Sequence, residues 1–479
     1  MGKNFVNLTI SSVIKRNHII SLFLMLFLWL FFVVLTLLEV SFLFSDFQWS
    51  IFYCIIIAII ICLRKLNNVN LASLYSLFFL FFVLFIGGRF VAIAMGYNSK
   101  PLFELDFFVY RILDHIQASK LFYIVIIGFI SLEIGYYLSA LFIRRKVKIY
   151  RKENDIFLRN NYFLLYSLMT VLFLLLSQKL FFAFKAVLSG GYLALFQETQ
   201  VSAFNSSFSG FLKILLLASS GIFLAQENKK IKSLFLFLMG LYFFVDMLLG
   251  GRGGFVCYLI FLLWYMHDYG FKQVNLVKLL TYILSILIFL STIFGLVSLR
   301  SSENSNEGVY QRVLSLIYDQ GVSLLVFNES MYIKDYPIIP FFQNFIPGFS
   351  FFYSKLIGTL YPYDVSLSAF ISYELNPQLY SMGYGLGWAF FADAYQYGGG
   401  NILFYSLFVI LFSVFINYLQ FNIFKNIYVK LITISLITSI LFLPRSGLNT
   451  VFPLIPYVLI LFLLIQYISN LLSVHDKNR

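Results

Sequence analysis

Long apolar runs dominate the chain, and polar residues are confined to short stretches between them. Runs near 19–43, 49–63, 71–95, 121–143, 162–185, 210–226, 231–249, 253–267, 279–298, 401–422, 428–444 and 451–470 predict helices, the second and eighth being short. Roughly 20 residues of helix cross the ~30 Å hydrocarbon core of a bilayer. Lipid offers no partner to backbone N–H and C=O groups, so only helices and closed barrels span it. Runs this long and unbroken are not barrel strands. The expected fold is an all-α polytopic membrane protein with about twelve transmembrane helices.

The pattern changes between 299 and 400. In "EGVYQRVLSLIYDQGVSLLVF" the apolar Val309, Val313, Leu316, Ile317 and Leu324 recur at helical spacing, with Arg312, Ser315 and Asp319 on the opposite face. That is the pattern of a helix lying on a membrane surface or on the bundle. Pro337, Pro340, Pro347 and Pro362 then break an apolar stretch, which reads as interfacial or re-entrant. "SMGYGLGWAFFADAYQYGGGN" closes the segment, with glycines on both sides of a short aromatic helix. The expected organisation is a transmembrane bundle over 1–298, one long loop of amphipathic and re-entrant helices over 299–400, and C-terminal transmembrane helices over 401–479.

Charge orients the chain. Most of the 34 Lys and Arg fall in alternate connections, among them "RRKVKIYRKENDIFLR", "ENKKIK", "KNIYVK" and the tail "HDKNR". Basic residues accumulate on the cytoplasmic side, so both termini are expected inside and 299–400 outside. The net charge of +13 is then topology and contact with anionic head groups, and nucleic acid is excluded as a partner. Composition agrees: 61% of residues are hydrophobic and 11% charged, too few polar groups for a soluble surface. The first run lacks a small-residue cleavage site and is read as a retained span.

Several arginines stand against this charge rule, on the outer side beside span ends. Arg252 lies between glycine pairs in "LGGRGG", flanked by Gly250, Gly251, Gly253 and Gly254. Arg89 stands in "IGGRF", Arg300 in "VSLRSS", Arg312 in the amphipathic helix and Arg445 in "LPRSG". Arginine offers a permanently charged planar fork suited to phosphate oxygens, and glycines let backbone amides approach an anion. Snorkelling to head groups is the plainer alternative, and carries most weight for Arg89 and Arg445. Asp393, in an otherwise aromatic and small-residue helix, is the candidate general base. Glu303, Glu307, Asp319, Glu329, Asp364 and Glu374 read mostly as solvated loop charges. Asp246 and Glu133, in or near spans, are functional candidates or partners of nearby cations.

Other chemistries find no support. Cys54, Cys62 and Cys257 lie in apolar runs without metal-like spacing, and His18, His115, His267 and His475 form no cluster. No paired-acid motif stands on the outer side, so neither a metal nor a cofactor is expected. "GYGLG" at 383–387 lacks the preceding strand of a dinucleotide loop.

The layout resembles the O-antigen or capsule repeat-unit polymerases of the Wzy type, relatives of the O-antigen ligases. The likeness is carried by "LGGRGG" at 249–254, "VSLRSS" at 297–302 with "YDQGVSLLV" at 318–326, and "GYGLGWAFFADAYQYGGG" at 383–400. It implies a glycosyltransferase of the cytoplasmic membrane acting on polyprenyl-pyrophosphate-linked oligosaccharides at the outer leaflet, with undecaprenyl pyrophosphate as the released carrier. A flippase and a chain-length regulator are candidate partners. Arg252 and Arg300 would hold the pyrophosphate with Arg312 assisting, and Asp393 would take the acceptor proton. The histidine associated with the ligases' external loop has no clear equivalent here, which favours polymerase over ligase. A flippase of the same pathway is the main alternative, disfavoured by the long external segment. A structural scaffold would not need arginines at outer span ends.

Overall fold

The computed structural model describes residues 2–105, 108–142, 162–190, 203–226, 228–270, 272, 274–275, 277–279, 281–282, 284–285, 308–358 and 360–477. Helices account for nearly all of the regular structure: α1 (Gly2–Leu37), α2 (Asp46–Leu66), α3 (Leu74–Phe85), α4 (Gly88–Ala94), α5 (His115–Phe142), α6 (Tyr162–Gly190), α7 (Ala203–Ala225), α8 (Lys229–Leu248) and α9 (Arg252–Met266). Further along come α10 (Val309–Gln320), α11 (Ser323–Tyr332), five short helices α12 (Ile339–Gln343), α13 (Phe349–Ile357), α14 (Pro362–Val365), α15 (Leu367–Leu375) and α16 (Pro377–Ser381), then α17 (Phe390–Tyr397), α18 (Ile402–Asn422), α19 (Ile427–Phe442) and α20 (Leu454–Lys477). A two-residue antiparallel ladder pairs β1 (Glu104–Leu105) with β2 (Arg111–Ile112). Polar side chains start several helices by satisfying their first amides. Ser45 forms a reciprocal capping box with Gln48 at α2, and Asn228 and Asn426 cap α8 and α19.

Among the described residues eight helices are long and apolar enough to cross a membrane, or nine if α3 and α4 form one bent span. These account for up to nine of the twelve expected spans. Gly210–Ala225 and Gly253–Met266 are helical and apolar but shorter, and the helix expected over 279–298 falls almost wholly outside the described residues. The run read as one span over 71–95 is broken by 68° between α3 and α4. Tight packing at the glycines accompanies this bend. A Cβ on Gly87 would collide with the Tyr53 hydroxyl, and one on Gly88 with the carbonyl of Ile317.

The chain divides into two compact units. The first comprises Met1–Arg144, Leu263–Ile333 and Trp388–Tyr418. Its centre is α5, buried along almost its whole length. Gly128 and Gly135 bring α18 close: a Cβ on Gly135 would meet the Ile410 carbonyl and Ser413. Ser413 Oγ donates to the Leu132 carbonyl at 2.7 Å. Small residues at such contacts let helices approach where lipid gives no hydrophobic drive to associate. Phe129 packs edge-on against Phe79, Phe82 and Phe391.

The segment expected to lie on a membrane surface or on the bundle is partly buried. Gly321 divides it into α10 and α11, and the side chains α10 buries are Leu314, Ile317 and Tyr318, while Val313 and Leu316 are half-buried. α11 is buried from Ser323 to Ser330, and α17 from Phe390 to Ala394.

The second unit comprises Arg145–Leu262, Lys334–Gly387 and Leu419–Arg479. Here α7 packs on α19 and α20. Gly221 permits the contact with α19, its amide donating to Ser435 Oγ at 3.1 Å, while Ser435 donates to the Ala218 carbonyl at 3.2 Å. Prolines stand in the first turns of α12, α14 and α16, where a missing N–H costs nothing.

Candidate functional site

In the second unit, chain direction brings a set of charged groups to one end. α6 and α8 finish there, α7 and α9 start there, and α19 leads into a 3-10 turn ending at Arg445. Asp246 lies two residues before the end of α8, half-buried. Lys179 of α6 and Lys213 of α7 both act electrostatically on its carboxylate. Lys179 Nζ donates to the Tyr242 hydroxyl at 3.2 Å, one turn before Asp246 on α8. Lys213 also lies within electrostatic range of Cys257, one turn into α9.

The glycines around Arg252 pack this end tightly. A Cβ on Gly251 would strike the Asp246 carboxylate, one on Gly253 the Phe442 ring of α19, and one on Gly254 would lie 3.0 Å from Phe243. Gly250 has φ of 112°, a conformation open to glycine. The amides of Gly250, Gly251 and Gly254 donate to the carbonyls of Met247, Asp246 and Gly251. Arg252 opens α9, and its side chain lies outside the described residues, as does all of Arg300. The contact of Gly253 with Phe442, three residues before the half-buried Arg445, brings the glycine hairpin against the α19 end. Arg252 and Arg445, far apart in sequence, therefore stand on neighbouring structures. Among the described residues, Lys179, Lys213 and Arg445 bring positive charge to this end and Asp246 brings a carboxylate. Fixed positive charge beside apolar helices suits an anion.

In the first unit the other arginines have different surroundings. Arg89 is buried, its Nη1 donating to the carbonyls of Leu102 at 3.3 Å and Glu104 at 2.6 Å, with the guanidinium 4.5 Å from the centre of the Tyr318 ring. It ties α4 and α10 to the chain before the β ladder. Arg312 is half-buried on α10, the helix that packs on α4. Asp393 is fully buried in the first turn of α17 and accepts from Trp388 Nε1 at 2.9 Å.

Two groups of residues escaped the sequence reading. Glu329, expected as a solvated loop charge, is buried. It is paired with Arg111 at 3.2 Å and accepts from Asn328 Nδ2 at 3.0 Å. Tyr332 lies beside it with the Arg111 guanidinium 5.5 Å from its ring centre, and burial pushes its phenol above the usual range while Arg111 opposes the shift. No local motif announces this pairing of residues 111 and 329. The second group is Lys179 and Lys213. Their signal was present, since an ionisable residue inside an apolar run is a functional candidate by default.

No curated protein and no solved structure matches the chain. The family model of the O-antigen polysaccharide polymerase Wzy matches residues 19–475, so this multi-pass bacterial membrane protein belongs to that family and polymerises lipid-linked oligosaccharide repeat units.

Proposed function

We propose that the protein extends a surface polysaccharide, O-antigen or capsule, at the outer leaflet of the cytoplasmic membrane, with both termini cytoplasmic. The donor is a growing glycan on polyprenyl pyrophosphate, and the acceptor is the non-reducing-end sugar of a new repeat unit. The acceptor hydroxyl oxygen attacks the donor's anomeric carbon, the bond from that carbon to the phosphate oxygen breaks, and polyprenyl pyrophosphate leaves. The hydroxyl proton passes to a carboxylate, for which Asp393 is our candidate.

The observation that carries this reading, beside family membership, is the basic end of the second unit built around the Gly250–Gly254 hairpin. Fixed cations facing a leaving pyrophosphate stabilise the charge that develops as the bond breaks, and need no rearrangement to do so. We assign Arg252 and Arg445 to this role on their neighbouring placement. Arg300 and Arg312 are assigned on sequence grounds, and Arg89 to holding the adjacent chain. A flippase or chain-length regulator would act as a partner at the same membrane.

The test is complementation of a strain lacking this gene with wild type or Arg252→Ala, followed by electrophoresis of the surface glycan. Wild type restores a ladder. The variant, inserted at the same level, leaves single repeat units on the surface. A full ladder from the variant removes Arg252 from the site, and repeat units trapped on the cytoplasmic leaflet would identify a flippase instead.

A further inference from the structure

We infer that Tyr361, Tyr363 and Tyr373 form a stacking platform for sugar rings of the glycan, a carbohydrate site built without any of the cations assigned to the pyrophosphate. This rests on the proposed reading that residues 299–400 face the outer side, where the glycan is extended.

Geometry is the first argument. In the second unit the rings of Tyr361 and Tyr363 stack with centroids 5.1 Å and planes 7° apart, and Tyr363 stacks on Tyr373 at 4.2 Å and 14°. Tyr380 meets Tyr373 edge-on at 5.9 Å. Tyr363 covers one face of Tyr361, yet among the described residues Tyr361 is still 61% exposed. Helix starts fix this row. The Asp364 carboxylate accepts the Tyr361 amide at 2.9 Å where α14 begins, Ser366 Oγ caps α15, and Asn376 Oδ1 accepts the Leu379 amide at 3.0 Å in α16. Rigid aromatic area of this kind loses little conformational entropy when a ligand settles on it.

Side-chain chemistry is the second. α13 presents Phe351, Phe352 and Leu356 at 62, 67 and 84% exposure, a face suited to hydrocarbon. Immediately beyond it the exposed ring is a tyrosine, backed by others. A pyranose ring has polarised C–H groups on its faces and hydroxyls around its edge. The C–H groups meet the negative face of an aromatic ring, and phenols and carboxylates hydrogen-bond the hydroxyls. A lipid tail makes no use of the polar half of that surface.

Charge is the third. Residues 361–387 contain Asp364 and Glu374 but no Lys, Arg or His. A phosphate or an anionic head group finds no counter-charge in this stretch, whereas sugar hydroxyls donate to carboxylates. Glu374 is exposed on α15 and Gln378 on α16. The family polymerises oligosaccharide repeat units, so a glycan is the ligand that this chemistry meets.

The experiment titrates the full-length protein, in nanodiscs of zwitterionic lipid, with lipid-free oligosaccharides of one or several repeat units cut from the wild-type polysaccharide. Thermal unfolding of every variant controls for folding. Tyr361→Ala weakens binding about tenfold, the scale of one good aromatic contact. Tyr361→Phe retains most of the binding, and Tyr361→Leu, which keeps apolar area without a ring face, falls with Tyr361→Ala. Tighter binding of the longer fragments places the growing chain on the platform, equal binding places the acceptor unit there, and either supports the inference. No binding by wild type, or full binding by Tyr361→Leu or Tyr361→Ala, overturns it. Tyr361→Cys separates this inference from the reading beneath it, by labelling spheroplasts with a membrane-impermeant maleimide against the wild-type background. Label from outside is expected. Label only from the cytoplasmic side removes the outer-face reading, and the inference with it. Label from outside with binding unmoved in Tyr361→Ala removes the platform alone, and label from neither side puts the ring in lipid and overturns the inference.

Discussion

Arg64 of α2 and Glu133 of α5 form an ion pair sealed inside the first unit, both side chains at most 2% exposed. Arg64 Nε donates to the two carboxylate oxygens at 3.1 and 3.2 Å, and the Tyr75 hydroxyl donates to Oε1 at 2.9 Å. The guanidinium lies 3.9 Å from the centre of the Phe79 ring. Removing one partner of a buried pair strands the other charge and costs about 3–5 kcal/mol, whereas replacing both with apolar groups is far milder. Glu133→Leu is therefore expected to lower the unfolding temperature sharply, and the double variant Arg64→Met/Glu133→Leu to recover most of the loss. Unfolding scans of detergent-purified protein decide it, and an intact Glu133→Leu would refute the structural role.

Arg89 offers a way to separate tying a loop from binding a phosphate. Its bonds go to backbone carbonyls of Leu102 and Glu104. Arg89→Met leaves the buried Leu102 carbonyl without this donor, at about 1–3 kcal/mol, and the half-buried Glu104 carbonyl at less. The expected outcome is lower stability, with polymer yield falling only in step with the amount of folded protein. Loss of the ladder at full stability would return Arg89 to the substrate.

Asp393 and its donor Trp388 can be tested as a pair. Trp388→Phe removes the N–H that Asp393 accepts but keeps the carboxylate, and a buried bond of this kind is worth about 1–3 kcal/mol when one partner is lost. Asp393→Asn keeps an acceptor but cannot take a proton. If Asp393 is the base, Asp393→Asn abolishes the ladder while folding is retained, and Trp388→Phe lowers stability more than rate. The parallel variant Glu329→Gln tests the paired carboxylate beside Arg111. A ladder lost there and kept in Asp393→Asn would transfer the role to Glu329.

The glycines make opposite predictions at different positions. Gly251→Ala drives a methyl into the Asp246 carboxylate and Gly253→Ala into Phe442, overpacking that costs about 1–3 kcal/mol. Gly210 lies within α7 with nothing within 4 Å of a Cβ, and Gly210→Ala is expected to stabilise by about 0.4–1 kcal/mol through the unfolded chain. Unfolding midpoints of the three variants check all of this in one series.

Much of this architecture was legible before any coordinates. Apolar runs of membrane length located the spans near 19–43, 121–143, 231–249 and 401–422, because a backbone in lipid must bond within its own helix. The glycine–arginine–glycine stretch stood out for the same reason, being costly in that place. Other features needed the third dimension. Arg64, in "RKLNN" at the end of the second apolar run, is buried against Glu133, and with its partner 69 residues away no local pattern announces the pair. The segment after 308 carries helical periodicity, yet periodicity cannot distinguish a helix lying on lipid from one folded into the core, and α11 is the latter. Asp393 was singled out for its apolar neighbourhood, but its burial and its bond to Trp388 depend on how α17 packs.

The sequence by itself determined that the chain lives in a bilayer, roughly where it crosses, and where charge sits against the rule, since solvent, length and sign are properties of composition and order. Tertiary structure alone decided which charges meet. Lys179, Lys213 and Asp246 lie on three separate helices, and only the packing of those helices brings them within electrostatic range of one another.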